Sequence, residues 1–142
     1  SWFDYVSGTS GALMTNHSGL SGDSRVSASE FVKFLNREPT RDVLPQILKK
    51  RRLFGNQNEK LNQSEVSIVA KTGTMHFTRG LAGYIIVRGR IRASFAIFSA
   101  DIEKRQLIGA HQLASPPGSK AWLRRSKAQE NQVLSSWANT YL

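Results

Sequence analysis

Cysteine is absent from the 142 residues, which removes disulfide staples, thiolate metal ligands and thiol nucleophiles together. No run approaches the roughly 18 to 20 apolar residues that a membrane-spanning helix needs. No basic stretch, apolar core and small-residue cleavage site opens the chain, so any export signal is expected upstream of Ser1. Three histidines, His17, His76 and His111, stand far apart without the spacing of an HExxH site, so neither a metal nor any other cofactor is expected. The four Asp and six Glu are scattered and give no support to a paired-carboxylate glycosidase. Gly-x-Ser-x-Gly, the sign of a hydrolase nucleophile elbow, is missing.

Acidic residues are scarce relative to basic ones. Ten Asp+Glu against 20 Lys+Arg leave a net charge of +10, a field that favours polyanions, anionic surfaces or acidic wall polymers. One function class compatible with that charge is a basic binding module for nucleic acid or another anionic polymer, using Lys49-Lys50-Arg51-Arg52, Arg88, Arg90, Arg92, Arg124 and Arg125. The run at 49–52 also suits a plainer role, since the C-terminal end of a helix favours basic side chains. The length and the 39% hydrophobic content fit one domain, or a part of one.

Residues 7–24 are rich in Gly, Ser, Asn and Asp and read as an ordered loop; no GxxxxGK[ST] spacing makes it a nucleotide loop. Ser27-Ala28-Ser29-Glu30 is a capping box that predicts a helix with Phe31, Val32 and Leu35 on its apolar face, closed by Pro39. A second helix is expected from about Arg41 to Lys50, with Pro45 near its first turn, and an amide-rich loop over residues 54–64. Val66–Thr72, Leu81–Arg88 and Ile91–Ser99 are β-rich and separated by short turns, which predicts an antiparallel meander with Arg88-Gly89-Arg90 as a tight hairpin. Residues 101–119 read as loop. A terminal helix is expected from Ser119 or Lys120, covering the sheet with Leu134, Trp137, Ala138 and Tyr141 and turning Lys127, Gln129, Glu130 and Asn131 to water. Trp122 and Trp137 are expected to pack rather than to stack on bases.

Lys71-Thr72-Gly73-Thr74 closes the first of these strands. In serine acyl-transfer enzymes acylated by β-lactams, Lys-Thr-Gly sits on a strand edging the cleft, with Ser-x-x-Lys and a Ser-x-Asn-type motif elsewhere. The resemblance continues around the motif. Asn16-His17-Ser18-Gly19-Leu20-Ser21 and the helix after it look like the Asp-Gly-Ser-Gly-Leu-Ser segment of class C low-molecular-mass penicillin-binding proteins. Leu44-Pro45, Ala70–Met75, Leu81-Ala82-Gly83-Tyr84 and the segment Pro117–Gln129 are similar to that family in the same order.

The resemblance implies an α+β fold, with an antiparallel sheet and flanking helices, as part of a serine β-lactamase/transpeptidase-like domain. Residues 1–142 would be the C-terminal portion of that one domain. It implies a periplasmic D-alanyl-D-alanine carboxypeptidase or endopeptidase that works through an acyl-enzyme on peptidoglycan peptides. Its partners would be those peptides, β-lactams as covalent inhibitors and the upstream part of the same protein, with no nucleic acid expected. Lys71 and Thr74 would be the catalytic residues, the Thr74 amide forming part of the oxyanion hole. Lys71, Thr72, Gly73 and Thr74 would form the substrate-binding stretch: Thr72 and Thr74 would hold the terminal carboxylate, Lys71 would shape the cleft's charge, and Gly73 would keep the strand free of bulk. The sequence departs from the family in three ways: Ser-x-x-Lys and Ser-x-Asn are both missing, Asn16-His17 replaces Asp-Gly, and residues 46–64 lack Gly-Thr-Leu. The nucleophile is therefore expected upstream, and this chain alone is expected to be inactive, since catalytic groups that act as a unit lose the covalent route with the nucleophile.

Overall fold

The apolar segments that read as strands pair as neighbours in a computed structural model, which describes residues 11–14, 24–51, 65–108 and 115–141. Strands β2 (Val66–Met75), β3 (Thr78–Val87) and β4 (Arg90–Ala100) form the antiparallel meander, and a short β1 (Lys49–Arg51) adds beside β2, giving the order β1-β2-β3-β4. At the β3–β4 connection Val87 pairs with Arg90, and Arg88 and Gly89 both have positive φ, 50° and 75°. A two-residue hairpin needs that pair of left-handed residues to follow the sheet's twist. The helices are α1 (Ala28–Asn36), α2 (Thr40–Ile47), α3 (Ile102–Gln106) and α4 (Ser119–Asn139). The described residues are thus α+β, a four-stranded antiparallel sheet with flanking helices.

Both faces of the sheet are covered, and the period-two alternation of the strands sorts their side chains between two cores. Val66, Ile68, Ala70, Leu81, Ile85 and Phe95 pack with Leu134 and Ala138 of α4. Val69, Ala82 and Tyr84 face the other way, against Leu35, Phe31 and Phe34 of α1 and Leu44 of α2. The capping box forms as the sequence predicts: the Glu30 amide donates to Ser27 Oγ at 3.2 Å, and the Ser27 amide donates to Glu30 Oε2 at 2.9 Å. At the other end of α1 the Leu35 carbonyl has no partner within the helix. The Tyr84 hydroxyl supplies one, at 2.8 Å, and so fixes helix to sheet.

Burial pushes the Tyr84 phenol up to about 12, the nearby Arg41 guanidinium opposing the rise. An unfolded tyrosine ionises near pH 10, so this folded-state value is the raised one. The contribution of Tyr84 is therefore complete below about pH 10 and is lost as pH climbs through about 12. Melting temperatures followed from pH 8 to 12 should fall over that window, and Tyr84→Phe should flatten the fall while costing about 1 kcal/mol at neutral pH for the lost hydrogen bond. An alkaline profile identical in the two proteins would remove Tyr84 as its cause.

Three sequence expectations need correction. The second helix ends at Ile47 rather than Lys50: Leu48 turns to extended geometry, and Lys49, Lys50 and Arg51 pair with Ala70, Val69 and Ile68. Long charged side chains suit an edge strand, because they keep the strand soluble and discourage further pairing. Pro45 sits inside that helix, beyond the first turn. The segment after β4 is not all loop, since the Asp101 carboxylate accepts from the Lys104 amide at 3.1 Å and starts α3. The loop at 7–24 falls mostly outside the described residues, as does 54–64; inside them, Leu13 and Arg25 exchange two backbone hydrogen bonds of 2.7 Å.

Candidate active-site wall

The motif occupies the half of β2 that runs beyond β1. Only Ile68, Val69 and Ala70 pair with β1, whereas Lys71 to Met75 pair with Ala82 to Thr78 of β3 on one side and with no described strand on the other. Backbone donors and acceptors along such an edge are available to an added extended chain. Because Ala70 faces α4, alternation places Thr72 and Thr74 on the α4 side and Lys71 and Gly73 on the α1 side. The four motif residues therefore lie on both faces of a strand edge that pairs with no other described strand.

Each has a distinct environment. The Lys71 ammonium is exposed and donates to the Thr72 carbonyl at 2.6 Å. Thr72 is half-buried. A Cβ placed on Gly73 would meet no atom of the described residues within 4 Å. Thr74 is exposed, and its hydroxyl oxygen accepts from Arg79 Nη1 at 2.8 Å.

Arg79 lies directly opposite Thr74 in the β2–β3 register and is only 5% exposed. Its guanidinium meets the carboxylate of Glu130 on α4, itself 1% exposed, with Nη2 donating to Oε2 at 2.9 Å and Nε lying 2.7 Å from Oε1. The Nε contact is close without the alignment of a hydrogen bond, so the ion pair carries it. Arg51 on β1 belongs to the same electrostatic group: burial lowers its pKa from the ordinary arginine value, the Glu130 carboxylate opposes that and Arg79 reinforces it. Two cations, Arg79 and Arg51, thus share the field of the one buried carboxylate, Glu130.

Sequence reasoning turned Glu130 to water, and that is wrong; it is one of the most buried residues of α4. Glu130, Leu134 and Ala138 follow one another at intervals of four, which puts all three on the stripe facing the sheet. Arg79 went unnoticed although it shares the inward parity of Leu81 and Ile85. A basic residue on the inward face of a strand and an acidic residue on the inward stripe of a helix are each anomalous alone, and together they are a pair.

Other features stand apart from this wall. A shallow cavity of about 320 Å³ lies along β4, lined by Val32, Phe95, Trp137 and Tyr141 among others, and no motif residue reaches it. Trp137 packs on Phe95 at 6.3 Å between ring centroids yet stays 40% exposed, and Trp122 meets Phe77 edge-on at 6.1 Å. His76 is half-buried, whereas His17 and His111 fall outside the described residues. Among the described residues no three His, Asp or Glu gather as a metal site would require, and no helix is long and apolar enough to cross a membrane. Comparison of the chain with protein-family models, curated proteins and solved structures returned no match.

Proposed function

We propose that this chain is the C-terminal part of a serine β-lactamase/transpeptidase-like domain. In this reading β2 forms one wall of a cleft that holds peptides ending in D-alanyl-D-alanine. The observation that supports the proposal is the position of Lys71-Thr72-Gly73-Thr74 on a strand whose outer edge pairs with no other described strand, with a buried guanidinium behind the last hydroxyl. In the whole protein a serine oxygen upstream attacks the carbonyl carbon of the penultimate D-alanine, and the C–N bond breaks. The terminal D-alanine leaves with a proton on its amine, and water then cleaves the ester. Lys71 contributes positive charge, the hydroxyls of Thr72 and Thr74 hold the terminal carboxylate, and the Thr74 amide faces the developing oxyanion. Substrate and address would be those of a periplasmic peptidoglycan hydrolase, either carboxypeptidase or endopeptidase.

Intact-mass analysis of the full-length parent with labelled penicillin, followed by peptide mapping, tests the proposal. The expected result is one adduct on a serine upstream of this chain, formed roughly 100-fold more slowly after Lys71→Ala and more slowly after Thr74→Val. Folded parent that forms no adduct sinks it. The competing reading, a basic module for anionic polymers, is favoured by the exposure of Lys49, Lys50, Arg90 and Arg92. DNA binding that falls steeply with added salt in a parent without an adduct would select that reading.

A further inference from the structure

Arg79 is a donor-only group, and every nitrogen that it directs at Glu130 or Thr74 can donate but not accept. The hydroxyl oxygen of Thr74 receives Nη1, which occupies one of its two lone pairs and turns its own proton away from Arg79. A carboxylate ligand can only accept. A hydroxyl polarised by a guanidinium is a stronger donor and a weaker acceptor, so it suits an anion better than a ligand group that must itself donate. Glu130 contributes twice. Its two oxygens engage Nε and Nη2, which aims Nη1 at Thr74, and its charge offsets the guanidinium so that Arg79 polarises the hydroxyl without becoming the anion's direct ligand.

We propose that Arg79, aimed by Glu130, is a positioning residue that presents the Thr74 hydroxyl as a donor to the terminal carboxylate of an extended peptide on the open edge of β2. The inference rests on the reading of β2 as a substrate wall and adds to it the device that selects a free C-terminal carboxylate. Loss of the device reduces discrimination between an acid and its uncharged amide; loss of the fold would reduce everything.

The test is titration of the ¹⁵N-labelled chain with N-acetyl-D-alanyl-D-alanine and, separately, with its C-terminal carboxamide, reading the backbone amide signals of Thr72 to Met75. The acid should shift these signals saturably and bind at least tenfold more tightly than the carboxamide. Arg79→Met combined with Glu130→Leu removes both charges at similar volume, a change that buried ion pairs often tolerate. Its spectrum should stay dispersed while the acid preference falls to about onefold. Arg79→Lys is the second variant, needed if the double one unfolds: it retains a charge for Glu130, lacks the planar fork that also reaches Thr74, and should lose most of the preference. Full acid preference in whichever variant folds overturns the inference, and so does a wild-type chain with none. Penicillin adduct formation by the parent separates the two claims. An adduct without acid preference leaves the acyl-transfer reading standing and removes the role of Arg79; acid preference that depends on Arg79, with no adduct, does the reverse.

Discussion

Glu130→Leu should lower stability by about 4 kcal/mol, on the order of 15 °C in melting temperature, and should be the most damaging single change on α4. The reason is not that the ion pair is worth that much. Two charges withdrawn from water repay little more than their own desolvation, whereas a guanidinium left in a site that is 5% exposed has neither water nor counter-ion. It follows that removing the partner as well should restore most of the loss. Urea denaturation of wild type, Glu130→Leu, Arg79→Met and the double variant closes a thermodynamic cycle with a coupling of at least 2 kcal/mol. Additive losses across the cycle would show that Arg79 finds another partner when Glu130 is gone, with Thr74 insufficient alone. The location gives the pair a further consequence. It ties α4 to the strand that follows the Lys-Thr-Gly segment, so the last helix of the chain and the candidate wall are joined by charge as well as by the apolar contacts of Leu134 and Ala138.

The parts of this fold that were legible from sequence are those where a local rule and the packing agree. Ser27 and Glu30 are adjacent enough to satisfy one another whatever lies beyond them, and Arg88-Gly89 needs only a sheet's twist to become a hairpin. The strand that carries Lys71-Thr72-Gly73-Thr74 was legible because its β-rich residues are contiguous. What failed depended on partners distant in sequence. Lys49 to Arg51 read as a basic helix end because the strand that recruits them begins more than a dozen residues later, at Val66. Glu130 read as a solvated carboxylate because its counter-ion is 51 residues away, on β3. Parity and helical stripe would have found both Arg79 and Glu130, had inward-facing charge been sought as a signal and not excluded from the core by assumption. The same long-range dependence hides the contacts of Thr74: Lys71-Thr72-Gly73-Thr74 is contiguous, whereas the guanidinium that bonds the Thr74 hydroxyl and the carboxylate that pairs with it come from another strand and another helix.

Two glycines of one hairpin should respond in opposite ways to the same substitution. Gly83→Ala should destabilise the chain by about 3 kcal/mol, the upper part of the usual range for overpacking. A Cβ there collides with the Val69 carbonyl oxygen and would stand 2.7 Å from Ala70 Cα and 2.8 Å from Ala70 Cβ. The first two are backbone atoms in β2, which is paired to β1 at Val69 and Ala70 as well as to β3, so no side-chain rotation relieves the contact and the ladder itself must open. Gly73→Ala meets nothing within 4 Å, and Gly73 does not lie in the left-handed region, so stability should change by no more than about 0.5 kcal/mol. Among the described residues nothing in the fold requires glycine at residue 73, and in the proposed reading its missing side chain leaves room for a substrate beside the strand. In the acyl-transfer reading proposed above, Gly73→Ala in the full-length parent should slow penicillin acylation at least tenfold while thermal melting is unchanged. Unchanged acylation would leave that glycine without a role in either fold or site. Equal destabilisation by the two substitutions would mean that another segment of the protein closes the edge of β2, which would also exclude a peptide from the place where the proposed function needs it.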